Sequence, residues 1–257
     1  MFPVFTHKAI PLFHHMKNRI LLYLLLTTAT FTSVQAQTDS TLRIFDSGFG
    51  IYAELGMLPA NKAIRNELAK MNIKPFTAFM GSVVLTRRRE SPRWFSEGRI
   101  IAMNSTNYTT GKNGLKADLA GIGIGTDGGP KLMNNPRWNL TIPFGADVML
   151  YRLSIKSDGQ VAIGPLLQNP SAYKPVRLLN ANINLHAGIG ADYKMDFLPK
   201  FNEKVFLSGK LTYQQPLLAK RKWKSESVTV SDLPSLKLNQ IFFQIGLVFF
   251  PKRRIKS

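Results

Sequence analysis

Residues 180–195 read Asn-Ala-Asn-Ile-Asn-Leu-His-Ala-Gly-Ile-Gly-Ala-Asp-Tyr-Lys-Met, and the fold turns on this stretch. Ala181, Ile183, Leu185, Ala187, Ile189, Ala191, Tyr193 and Met195 alternate with Asn180, Asn182, Asn184, His186, Gly188, Gly190, Asp192 and Lys194. A strand sends successive side chains to opposite sides, so this period predicts a strand with one apolar and one polar face. The run is also long. Soluble strands usually have about 5–6 residues, whereas a strand crossing a bilayer at a tilt needs about 9–11. A face of Asn, His, Asp and Lys suits a barrel interior, and the opposite face suits lipid.

Working outward, the same rule holds in four more segments. Phe49, Ile51, Ala53, Leu55 and Met57 oppose Gly50, Tyr52, Glu54 and Gly56. Leu140, Ile142, Phe144, Ala146, Val148 and Leu150 oppose Thr141, Pro143, Gly145, Asp147, Met149 and Tyr151. Residues 205–214 and 240–249 follow suit, with Lys210 on the polar face of the first. Weaker alternation marks residues 76–87, 97–105 and 115–126. In the last, Ile122 and Ile124 fall out of step with Leu115, Ala117 and Leu119, which a β-bulge would explain. These segments predict an all-β, antiparallel, up-and-down transmembrane barrel of about eight strands over residues 48–250. A soluble periplasmic barrel, with the apolar face as its core, is the alternative.

With both ends of such a barrel in the periplasm, residues 58–75, 106–114, 153–176 and 217–237 become external connections. The alternate connections, 88–96, 127–136 and 196–202, average shorter, as expected of inner turns. The first external loop has helical spacing, with Ala60, Ile64, Leu68 and Met71 on one face and Pro59 and Pro75 bounding it.

The N-terminus reads as an export signal. Lys17 and Arg19 precede the apolar core Ile20 to Phe31, and Val34-Gln35-Ala36 offers a cleavage site. Residues 1–36 are therefore expected to be a signal peptide, starting at Met1 or Met16, with a membrane anchor as the competing reading. Residues 37–47 then form a periplasmic segment and residues 251–257 a basic tail. No other apolar run approaches the roughly 20 residues of a helical span. There is no cysteine, so neither a disulfide framework nor a lipid-modified lipoprotein start is available. Removing Lys8, Lys17 and Arg19 with the signal lowers the net charge from +19 to +16. In an exported chain that excess points to phosphate headgroups and lipopolysaccharide rather than nucleic acid.

The aromatic last strand, QIFFQIGLVFF (residues 240–250), the alternating strands and the signal together resemble the small outer-membrane β-barrels of Gram-negative envelopes. The first strand, GFGIYAELGML, followed by a loop helix, is similar to barrels of Bacteroidetes-type bacteria without assigned function. The resemblance implies an outer-membrane location and recognition of the last strand by the barrel-assembly machinery. The tail after Phe250 departs from the pattern.

Glu54, Asp147, His186, Asp192, Lys194 and Lys210 are the expected polar lumen. Buried charges must pair or meet water, so they either plug the barrel or line a narrow path for small solutes. His186 is the one histidine after the signal. With Ser208 and Asp192 it would be the raw material of a lipid acyl hydrolase or transferase, but Asp192 lies six residues along the same strand, about 20 Å away. One histidine and no cysteine leave no zinc site. Gly123 to Gly128 fits G-x-G-x-x-G, yet Gly129-Pro130 follows where a helix should open, so no nucleotide cofactor is expected and the glycines read as crowded strand positions. Lys220, Arg221, Lys222, Trp223 and Lys224 lie in the last external loop and are candidates for lipopolysaccharide contact. Arg87-Arg88-Arg89 and Arg93-Trp94 are expected at the periplasmic rim.

Overall fold

The computed structural model describes residues 46–57, 61–105, 109, 111, 114–157, 175–195, 202–217, 222–225, 228–230, 233–234, 236 and 240–251. Its elements are β1 (Asp46–Met57), α1 (Lys62–Lys70), β2 (Phe79–Glu90), β3 (Trp94–Ser105), β4 (Leu115–Asn134), β5 (Trp138–Thr141), β6 (Phe144–Ser157), β7 (Val176–Met195), β8 (Asn202–Pro216), β9 (Trp223–Ser225), β10 (Val228–Val230) and β11 (Gln240–Pro251). The signal, the N-terminal segment before Asp46 and the tail after Pro251 lie outside the described residues.

Antiparallel pairing runs β1-β2-β3-β4-β6-β7-β8-β11 and returns to β1, so the sheet closes. β5 and β6 form one wall strand. Thr141 faces Gly190 in the register that Phe144 continues at Ala187. Pro143 interrupts the ladder because it has no N–H, but its carbonyl still accepts from Gly188 N at 2.9 Å. The ring therefore has the eight strands that alternation predicts.

Register sets the barrel's dimensions. From Ile51, one route runs through Leu85, Ile100, Ile124 and Val148 to Ile183 on β7. The other runs through Leu247 and Leu207 to Tyr193, ten residues away on the same strand. With strands about 4.8 Å apart and a rise of about 3.3 Å per residue, that stagger tilts the strands by roughly 40° at a backbone radius of roughly 8 Å. An interior this narrow is filled by side chains.

The outward face is apolar around the whole ring. Phe49, Ile51, Leu55, Leu85, Ile100, Ile122, Val148, Ile183, Ile241 and Phe243 are all exposed, and Ile124 and Ile189 reach 65%. So large a continuous apolar surface is costly in water and matches hydrocarbon. The inward face holds the polar residues, so the soluble arrangement with an apolar core is inverted here.

Connections at the end that holds α1 are long, whereas residues 91–93 and 135–137 make tight turns at the end that holds the first and last strands' free ends. The strands extend past several expected boundaries. Residues 88–90 and 127–134 belong to β2 and β4, not to turns. No bulge separates Leu119 from Ile122. Pairing with β3 and β6 is continuous there, and the irregularity falls at Lys131/Met133. Ala117 and Leu119 simply face inward beneath α1, while Ile122 and Ile124 face out.

Helix α1 buries Ile64 and Leu68. Met71, expected on the same face, is exposed at the helix end. There Asn72 takes φ 58°, the left-handed conformation that Asn tolerates better than branched residues, and Ile73 N donates to Leu68 O at 2.9 Å. Ile64, Leu68, Ile73 and Phe76 pack with Met80, Met103, Leu119, Tyr151 and Leu153, closing this end of the barrel with an apolar cap.

Candidate functional site

Below the cap the lumen is ionic. Glu54, Asp147, His186, Asp192 and Lys210 all point inward and are buried, as strand parity predicts. Lys194 shares their face but is half-buried near the mouth. Six further charges on β2, β3 and β4 complete the set: Arg88, Glu90, Glu97, Arg99, Asp127 and Lys131.

Two clusters result. In the first, Arg88 Nη2 lies 2.5 Å from Asp192 Oδ2 and 2.7 Å from Glu90 Oε1, with Nη1 3.4 Å from Glu97 Oε1. Lys210 Nζ reaches Glu97 at 2.6 Å and Asp127 at 2.9 Å, and Lys131 Nζ reaches Glu90 at 3.1 Å. Tyr52 Oη donates to Glu97 at 3.1 Å, and Phe95 lies 4.8 Å beneath the Arg88 guanidinium. In the second, Arg99 stands 3.5 Å from Glu54 and 3.9 Å from Asp147. Arg99 Nη1 lies 3.1 Å from His186 Nε2. His186 Nδ1 lies 3.1 Å from Asp147 Oδ2 and its Nε2 lies 3.7 Å from Asp127 Oδ1, so the ring sits between two carboxylates. Gln244 Nε2 donates to Glu54 Oε2.

Glycine makes this density possible. A Cβ on Gly125 would collide with the Asp147 carboxylate, and one on Gly123 with the Met149 sulfur. The G-x-G-x-x-G stretch thus lies wholly within β4, as crowded strand positions. Between the cap and the second cluster, the cavity lined by Glu54, Arg99, Met149, Tyr151 and Gln240 holds about 10 Å³. That is room for about one water.

The register sets Ser208 opposite Asp192 and His186 opposite Gln214. Ser208 Oγ donates to Asp192 at 2.6 Å. The serine and the histidine are therefore held by different partners, and the triad arrangement is not assembled.

In the last long loop, β9 and β10 form a short hairpin, and β9 adjoins β7 through Leu179 and Lys224. Lys222 and Lys224 are exposed. Trp223 is fully buried instead, its Nε1 donating to Pro234 O at 3.1 Å, so the indole anchors the loop rather than meeting headgroups. Lys220 and Arg221 lie outside the described residues. Arg87 and Arg89 are exposed near the rim, but Arg88 between them is a lumen residue. At the same rim Trp94 stacks edge-on against Phe144 at 5.7 Å and Trp138 packs on Tyr193 at 4.7 Å. Such aromatic pairs mark the level where hydrocarbon meets headgroups.

A closed ring with an apolar outside and an ion-paired inside defines a transmembrane β-barrel. Among solved structures the chain is similar to Ail, the attachment invasion locus protein of Yersinia pestis, at 14% identity over 79% of this chain and 97% of that one, TM-score 0.41. It is also similar to Neisserial surface protein A, at 13% identity over 80% and 96%, TM-score 0.39. A major outer membrane protein from Thermus thermophilus matches at 12% identity over 78% and 98%, TM-score 0.44. No protein family model matches the chain. No curated protein matches it in sequence.

Proposed function

We propose that this chain is an outer-membrane barrel with a closed lumen, acting in the envelope through its wall and loops and not as a solute channel. The observation that carries this reading is the interior itself. Six carboxylates, Glu54, Glu90, Glu97, Asp127, Asp147 and Asp192, interlock with Arg88, Arg99, Lys131, Lys210 and His186 below an apolar cap. A hydrated ion passing through would have to part pairs whose partners cannot be left unpaired without a cost of several kcal/mol each. The long connections at the α1 end face outward, and the ring's free ends face the periplasm. Residues 1–36 direct export, and the aromatic β11 strand is what the assembly machinery engages. The partners in place are outer-leaflet lipid and lipopolysaccharide, met on the loop side by the exposed Lys222 and Lys224.

Planar-bilayer recording of the purified, refolded mature protein tests this. The closed lumen gives no steady unitary conductance. Regular ohmic steps from the intact protein would establish the narrow-channel reading instead.

A further inference from the structure

The wall carries a cleft of about 350 Å³ at the α1 end, on the outward side of β4, β6 and β7. Its walls include Asp118, Arg152, Ser154, Lys156 and Arg177. The register fixes its depth. The outward row Ile124–Val148–Ile183 and the next, Ile122–Leu150–Ala181, are wholly apolar. One step further lies Ala120–Arg152–Leu179, which continues through the hairpin to Lys224. One step beyond that lies Asp118–Ser154–Arg177. Successive outward rows are about 6.6 Å apart, so the first cation stands about that far past the last hydrocarbon-facing residue.

The charges do not cancel. Lys156 Nζ holds Asp118 at 2.6 Å. Arg152, Arg177 and Lys224 are exposed and have no carboxylate partner among the described residues. We propose that this cleft binds the phosphate of an anionic lipid in the surrounding leaflet. Arg152 and Arg177 grip the phosphate, Ser154 donates a hydrogen bond, and the acyl chains lie on Ile122, Leu150, Ile124 and Val148. Guanidinium forks match phosphate oxygens, and Ser154 is the cross-strand partner of Arg177 and lies two residues from Arg152 on the same face of β6. The cleft's size falls within the range of about 300–1,000 Å³ usual for small-ligand sites. The site rests on the membrane reading of the wall and adds a defined position on it.

The mature chain, refolded in zwitterionic micelles, would be titrated with phosphatidylglycerol or phosphatidylcholine and followed by native mass spectrometry. The R152Q/R177Q variant should need roughly thirtyfold more phosphatidylglycerol for equal retention, since each basic residue at an anionic surface contributes about a fivefold factor. Phosphatidylcholine retention should not change, and excess inorganic phosphate should not displace the lipid. A charge-matched R93Q/R137Q variant, altered in the tight turns at the other end, should retain the lipid as the parent does. Equal loss in both double variants, no loss in R152Q/R177Q, or displacement by free phosphate would each overturn the site. A chain that folds and stays monodisperse without detergent would overturn the membrane reading beneath it.

Discussion

Arg88 is the keystone of the lower lumen, and Arg88→Met isolates its charge. Methionine keeps most of the stem that packs over Phe95 but removes the guanidinium. Asp192 then loses the cation at 2.5 Å and keeps only the Ser208 hydroxyl at 2.6 Å. Glu90 and Glu97 lose theirs at 2.7 and 3.4 Å, but Lys131 and Lys210 still reach them. The substitution therefore strands one buried carboxylate fully and two in part. Removing one partner from such a pair costs about 3–5 kcal/mol. Adding Asp192→Asn removes the stranded charge, so the double variant should recover roughly 2 kcal/mol of that loss as coupling energy. The assay is reversible urea unfolding from lipid vesicles, followed by tryptophan fluorescence and heat-modifiable gel mobility. A cost below about 1 kcal/mol for Arg88→Met, or strict additivity of the two substitutions, would refute the claim that the lumen is held by this pairing.

Ile189→Arg places a cation on the lipid face mid-strand and should cost roughly 2–4 kcal/mol by the same vesicle unfolding assay. Ile189→Phe should be near neutral there. At the α1 boundary, Asn72→Val forces a β-branched residue into the left-handed conformation and should cost about 1–2 kcal/mol, whereas Asn72→Gly should cost nothing or stabilise; thermal unfolding in micelles compares the two.

What the sequence revealed, and what it hid, follows from how local each signal is. β7 was legible because each face carries one class of side chain along its whole middle, so parity alone assigns His186 and Asp192 to the lumen. β4 was not. Its inward face is apolar at Ala117 and Leu119, where α1 covers it, then glycine, then Asp127. That change reads as a slip in register although none exists. Arg88 was hidden by its neighbours. Three consecutive arginines erase the period-two contrast, and its burial depends on carboxylates of β3 and β7 that no local window contains. A usable signal did exist in β3, where Glu97 and Arg99 share parity with Ile101, Met103 and Ser105. Trp223 was misread for a similar reason: basic neighbours suggested a surface, while its burial comes from the loop folding back to Pro234.

Because the chain contains no cysteine, a single introduced thiol reports unambiguously on its own position. Ile189→Cys, Ser208→Cys and Lys222→Cys, each refolded into lipid vesicles, would be treated with a charged, membrane-impermeant maleimide before and after unfolding in urea. Ile189 is 65% exposed but faces lipid, Ser208 is fully buried in the lumen, and Lys222 is exposed in the loop. A closed transmembrane barrel gives labelling of the Lys222 site alone in the folded state and of all three after unfolding. Labelling at the Ile189 site in vesicles would mean that the apolar wall meets water, and labelling at the Ser208 site would mean that the lumen is open; either result contradicts a closed transmembrane barrel.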